Sequence, residues 1–144
     1  MRAILRAGLT GAAVASMSLA AGAAYATPAG PGVTSKLIYQ KTDGNTDYIV
    51  REITIPPGQS TGWHYHDGTL YGVVEQGTLS RFDATCQQNG TFKSGSTVTE
   101  RPGANHVHIG RNLGKAPLTL VVLYVLPHGA PLRQDATNPP CDSQ

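Results

Sequence analysis

Hydrophobic and polar residues alternate along short segments of this chain, a pattern typical of β-strands. Side chains of a strand point alternately to its two faces, so a period of two predicts strands with one buried face. No segment shows the 3.6-residue apolar period of an amphipathic helix. The pattern predicts strands over 48–55, 70–75, 78–82, 97–101, 106–111 and 118–126, with a short extended segment over 62–66.

The segment 118–126, with the sequence LTLVVLYVL, is the strongest of these predicted strands. It is apolar on both faces, which predicts a central position in a sheet. Turn signals such as Pro56-Pro57-Gly58, Asn89-Gly90 and Pro102-Gly103 separate the strands. Many short strands at spacings of about 8–12 residues predict an all-β sandwich or barrel.

The first 26 residues have the features of a signal peptide. Arg2 and Arg6 form a basic start, an uncharged stretch rich in Ala, Leu and Val follows, and Ala24-Tyr25-Ala26 supplies a cleavage site. The alternative is a retained membrane anchor, but several Gly, Ser and Thr residues dilute the apolar stretch. We therefore expect Sec-type export with cleavage after Ala26, a secreted or extracytoplasmic location and no stable membrane span after cleavage.

Cleavage at that point leaves residues 27–144, enough chain for one domain with one hydrophobic core. The whole chain has 11 basic and 9 acidic residues, and removing Arg2 and Arg6 leaves 11 − 2 = 9 basic residues. The exported protein is formally neutral and lacks the clustered Lys and Arg of a nucleic-acid-binding protein. We expect no nucleic-acid partner.

Two cysteines, Cys86 and Cys141, lie in segments that resemble loops, and Cys141 follows two prolines near the end of the chain. In an exported protein two cysteines favour one disulfide. The alternative is a pair of free thiols, which are poorly tolerated outside the cell.

Four of the five histidines form two His-x-His pairs, His64-Tyr65-His66 and His106-Val107-His108. On a strand, each pair projects both rings to the same face. Two such strands could gather three or four imidazoles around one divalent metal ion, and Fe, Zn, Mn, Ni and Cu are not distinguished by this pattern. The alternative is that each pair forms a polar, solvated strand face.

The segments around these histidines resemble the two conserved motifs of the cupins. Gly58, His64, His66 and Gly77 match the spacing of the first motif, and Pro102-Gly103 followed by His108 and Asn112 resembles the second. The resemblance covers about residues 52–126 and leaves 127–144 as an irregular tail. It implies a double-stranded β-helix, or jelly-roll barrel, with a metal inside one mouth, and it raises the possibility of a homodimer.

The chain departs from the cupin pattern at two positions. Leu70 stands where the first motif places a glutamate ligand, and Glu75 has the opposite strand parity, so it should point out of the barrel. In the second motif, spacing from Asn112 selects His108 whereas spacing from Gly103 selects His106. The expected metal ligands are therefore His64 and His66 together with His108, His106 or both.

Without a carboxylate ligand, three neutral histidines would leave a divalent ion with its full +2 charge and an open coordination position. The resemblance then implies a small-molecule ligand or substrate, with an oxygenase of a small organic molecule as one function. A non-catalytic module that binds a metal or small ligand is the second hypothesis, and a structural barrel with incidental histidines is the third. Inward-facing side chains would give an apolar pocket wall, formed by Leu70, Val74, Leu120 and Val122.

Overall fold

A computed structural model describes residues 27–142, so the predicted signal peptide lies outside the described residues. The described chain forms ten strands and a single 3-10 turn at Ala104–His106. No helix within this part of the chain is long and apolar enough to cross a membrane. The strands are β1 (Thr34–Asp43), β2 (Thr46–Ile55), β3 (His64–Tyr65), β4 (Thr69–Gln76), β5 (Thr78–Asp83), β6 (Gln88–Lys93), β7 (Thr97–Glu100), β8 (His108–Arg111), β9 (Leu118–Pro127) and β10 (Gln134–Asp135).

The strands form two five-stranded antiparallel sheets that face each other around one core. The first sheet has the order β1-β2-β9-β4-β7 and the second has the order β10-β3-β8-β5-β6. The predicted all-β, double-sheet fold is therefore confirmed. The core consists mainly of inward-facing side chains of the first sheet, including Ile55, Leu70, Val74, Leu118, Leu120 and Leu126.

Strand β9 lies at the centre of the first sheet, as its apolar sequence predicted, and pairs with β2 and β4. Its inward residues are buried, whereas the alternate residues on the outer face are only partly buried. That outer face continues onto neighbouring strands with the exposed side chains of Tyr48 and Tyr71. Apolar residues on both faces therefore indicated a central strand correctly, but not complete burial of both faces.

Two local predictions are wrong, and the strands β1, β6 and β10 were missed, the last of them within the tail that was expected to be irregular. Asn89-Gly90 is not a turn but lies within β6, where Gly90 pairs with Arg81. Of segment 106–111, only His108–Arg111 is a strand. Strand β1 was missed because all ten of its residues are exposed, so no burial pattern marks it.

The predicted disulfide between Cys86 and Cys141 is confirmed. It joins the β5–β6 loop to the C-terminal tail across 55 residues of sequence. Closing a loop of that length restricts the unfolded chain and is worth about 4 kcal/mol in the chain-entropy description. The tail is held further by Asp142, which accepts hydrogen bonds from Trp63 Nε1 at 2.6 Å and Arg111 Nη2 at 2.8 Å.

Asp47 on β2 joins three segments at one end of the first sheet. Its carboxylate accepts hydrogen bonds from Thr42 Oγ1 at 2.6 Å, from the Gly129 amide at 2.9 Å and from His128 Nδ1 at 3.0 Å. These bonds, with that from Thr42 the largest contribution, outweigh desolvation and lower the pKa of Asp47 to about 2. Stabilisation by the ionised carboxylate is therefore present above the unfolded pKa of 3.8 and is lost as the pH falls towards 2.

Replacing Asp47 with Asn should lower the thermal midpoint at pH 7, because the amide cannot accept all three bonds as a charged group does. The deficit relative to the wild type should shrink as the pH falls from about 4 to about 2, where the wild-type carboxylate becomes protonated. Thermal unfolding followed by circular dichroism between pH 2 and pH 7 measures both effects. Asp43→Asn, at an exposed position of β1, is the matched control. A deficit that did not change with pH would contradict this assignment.

Candidate metal centre

Three imidazole rings and one carboxylate converge inside the barrel. His64 on β3 pairs with His108 on β8, His66 follows β3, and Glu100 ends β7 on the facing sheet. Each of the four residues offers a ligand atom, and these atoms all lie within 4.8 Å of one another. The histidine side chains are almost completely buried, with residue exposures of 5% for His64 and 2% for His66 and His108.

Backbone carbonyl groups fix the orientation of each ring. The Nδ1 atom of His64 bonds to Gly62 O at 2.9 Å, that of His66 to Leu132 O at 2.7 Å, and that of His108 to His106 O at 2.8 Å. A carbonyl oxygen only accepts, so Nδ1 carries the hydrogen in all three rings. In the neutral ring the lone pair is then on Nε2, the arrangement that proteins use to prepare histidine as a metal ligand.

The contacts on the other side of the rings fit a metal ion. Glu100 Oε2 lies 3.1 Å from His66 Nε2 and 3.2 Å from His108 Nε2. Both Nε2 atoms are buried without a hydrogen-bond partner among residues 27–142. A neutral ring would point its lone pair at a carboxylate oxygen, which is unfavourable unless a cation lies between them. Three imidazoles and one carboxylate are suitable donors for Fe, Mn, Ni or Zn.

The protonation states of two of these groups suit metal binding. Burial lowers the pKa of His64 well below its usual value, and the neighbouring His108 adds to this effect. Burial alone would raise the pKa of Glu100, but its contacts with His108 and His66 outweigh burial and hold the pKa well below the usual range. His64 is therefore neutral and Glu100 ionised at neutral pH.

Glu100 was not identified from the sequence, and it corrects the expectation of a site without a carboxylate. In the pairing of β4 with β7, Glu100 lies directly opposite Leu70. The carboxylate thus comes from the neighbouring strand, level with the position that carries it in the cupin motif. One signal was available, since alternation along 97–100 places Glu100 on the same face as the buried Val98. With Glu100 as a ligand, the net charge of the four protein ligands and a divalent ion would be +1 instead of +2.

The structure brings His64, His66 and His108 together and leaves His106 outside the cluster. His106 lies in the 3-10 turn and contributes its backbone oxygen to the orientation of His108. Glu75 is exposed, in agreement with its strand parity. His128 is exposed, lies just beyond the end of β9 beside Asp47, and is not part of the cluster.

A cavity of about 270 Å³ opens onto His64, His66 and Glu100. Its wall is mostly apolar and includes Leu70, Leu120 and Val122, as the strand pattern predicted, whereas Val74 packs in the core. Tyr124 supplies a hydroxyl group to the wall, and burial raises its pKa to about 12. This phenol therefore stays protonated at neutral pH and can donate a hydrogen bond to a ligand.

Comparison with known families agrees with this geometry. The model of the cupin domain matches residues 51–124, slightly more than half of the chain. The chain belongs to the cupin family. That match confirms the resemblance seen in the sequence motifs, although the carboxylate beside the histidines here belongs to β7.

Three solved structures with the same fold are distantly similar to this chain in sequence. A double-stranded β-helix protein from Klebsiella pneumoniae is 22% identical with a TM-score of 0.60, the match covering 78% of this chain and 90% of that one. The structure of Rhodobacter sphaeroides SigE with the anti-sigma ChrR gives 21% identity and a TM-score of 0.51, covering 65% and 45%. The polyketide cyclase RemF from Streptomyces resistomycificus gives 14% and 0.52, covering 75% and 84%. These similarities show the fold alone, and no curated protein matches the sequence.

Removing any one of the four ligands should reduce metal affinity by about tenfold or more, because changes even to residues that orient a ligand cost 10–100-fold. The variants are His64→Ala, His66→Ala, His108→Ala and Glu100→Gln, compared by elemental analysis and chelator competition. His106→Ala is the matched control and should bind metal as the wild type does. Wild-type affinity in Glu100→Gln would show that this carboxylate is not a ligand.

Proposed function

We propose that this protein is a metal-dependent cupin oxygenase that acts on a small, largely apolar organic molecule. The observation that carries the proposal is that three residues of the four-residue cluster, His64, His66 and Glu100, line an apolar cavity. Four protein ligands leave coordination positions for exogenous ligands on a metal that prefers five or six. A bound redox-active metal such as Fe(II) would supply the redox chemistry that activates O₂ for an oxygenase reaction.

The other residues of the cavity are suited to binding the substrate and excluding water, not to taking part in the reaction. Apolar side chains from both sheets would hold the body of the substrate and exclude water from the metal. Among the described lining residues, Glu100 is the only carboxylate, and its contacts with His66 and His108 commit it to the cluster. The hydroxyl group of Tyr124 can donate a hydrogen bond to a substrate oxygen. Because its pKa is raised to about 12, it stays protonated at neutral pH and cannot act as a general base. This composition favours chemistry supplied by the metal over hydrolysis by an acid and base pair.

The alternative is a binding module without catalysis. The described cavity wall has no acid or base besides the groups of the cluster, and this supports a binding module, because a pocket built only for binding needs no such group. Cupins have diverse activities, and the fold does not choose between these two functions.

Oxygen uptake by protein loaded anaerobically with Fe(II) distinguishes the two functions. We expect substrate-dependent uptake with at least one member of a panel of phenols, flavonoids and thiols, and loss of that uptake in His66→Ala. His106→Ala controls for removal of a histidine close to the cluster. Tight binding of a panel member to verified Fe(II) protein without oxygen uptake would instead support the binding module.

We also propose that the protein is exported and that residues 1–26 are removed. The basic start, apolar stretch and Ala24-Tyr25-Ala26 site support export, and so does the disulfide, which is typical of oxidising compartments. The intact mass of the exported protein should correspond to a chain that begins at Thr27 with one disulfide. An uncleaved, membrane-bound form would refute this proposal.

A further inference from the structure

Arg81 lies directly behind the carboxylate of the metal centre. It is on β5, opposite Gly110 of β8, and shares its strand face with the buried Leu79. Its Nε atom is 4.0 Å from Glu100 Oε1, the oxygen that does not contact the histidines. The Arg81 side chain is 17% exposed, so little solvent screens its charge from the site.

Arg81 has no second acidic partner within 4.0 Å in the described chain. Arg111 and Arg133 pair closely with Asp142 and Asp135, but Glu100 is the only carboxylate of residues 27–142 within 4.0 Å of Arg81. The buried Nε atom of Arg81 has no hydrogen-bond partner in this part of the chain. Glu100 is therefore its nearest carboxylate, and at longer range its charge also acts on Asp83, two residues along β5 and on the solvent side.

This arrangement changes the charge of the centre. Three neutral histidines, a divalent ion, Glu100 at −1 and Arg81 at +1 sum to +2. An excess positive charge beside an apolar cavity is costly unless a counter-ion neutralises it. The single negative charge of Glu100 offsets part of the charge of the metal, but the positive charge of Arg81 cancels that effect.

We propose that Arg81 is a specificity-determining residue that selects an amphipathic anion, namely a molecule with an apolar body and a carboxylate, enolate or phenolate oxygen. The apolar body occupies the cavity lined by Leu70, Leu120 and Val122, and the anionic oxygen faces the metal. The inference rests on the proposed metal site and names the class of ligand that this site takes.

The test compares ligands that differ in charge but little in shape. Zn-loaded protein is titrated calorimetrically with benzoate and phenylacetate and with their neutral amides, benzamide and phenylacetamide. We expect the wild type to bind each anion at least about tenfold more tightly than its amide. Arg81→Gln should lose this preference while retaining zinc, and Arg81→Lys, which keeps the charge, should preserve most of it.

Lys93→Gln is the control, because Lys93 is an exposed cation on the adjacent strand β6, where it pairs with Thr78 of β5 and takes no part in the metal centre. It should keep the wild-type preference. Equal binding of anion and amide by zinc-loaded wild type, no binding of either anion, or an undiminished preference in Arg81→Gln would overturn the proposal. If Arg81→Gln does not fold, loss of the preference in Arg81→Lys would do so. Zinc content measured on the same samples separates these results from failure of the metal site itself.

Discussion

The contact of Glu100 with His66 and His108 connects the two halves of this barrel. Two of the histidines lie on strands of the second sheet, whereas Glu100 belongs to the first. The carboxylate oxygen lies 3.1 and 3.2 Å from the two Nε2 atoms, so the site exists only when the sheets face each other in the correct register. Metal binding here would add to the free energy of folding, because the unfolded chain holds no such group of ligands.

Sequence periodicity accounts for one of the two histidine pairs in the second-sheet half of the centre. His-x-His spacing places both rings of a pair on one face only if the segment stays extended. His64 lies on β3 and His66 directly follows it, and their ring centroids are 4.8 Å apart. The second pair does not meet this condition, since the chain turns at Ala104–His106 and enters β8 only at His108. Asn112 explains the register that follows, because its buried side-chain amide donates to Ile55 O and Ala116 O. The spacing from His108 to Asn112 was thus a better guide than the spacing from Gly103.

Glu100 shows why the remaining ligand was harder to predict. Alternation puts it on the inner face with Val98, but the pairing that sets it opposite Leu70 depends on which strands become neighbours. Strand β7 is at the sheet edge and pairs only with β4, which is distant in sequence. Local patterns give the face of a residue, while its position along the barrel requires the sheet order. Strand β1 was missed for a different reason, because exposure on both faces leaves no periodic signal.

The C-terminal tail contributes more to the site than its irregular sequence suggested. Leu132 accepts the hydrogen bond that orients His66, and Arg133 lines the cavity while pairing with Asp135 on β10. The disulfide at Cys141 and the bonds to Asp142 hold this tail against the second sheet. Since an orienting carbonyl must keep its position to within a fraction of an ångström, the tail is part of the metal centre's support. The disulfide, far from the ligands in sequence, therefore stabilises the segment that fixes the tautomer of His66.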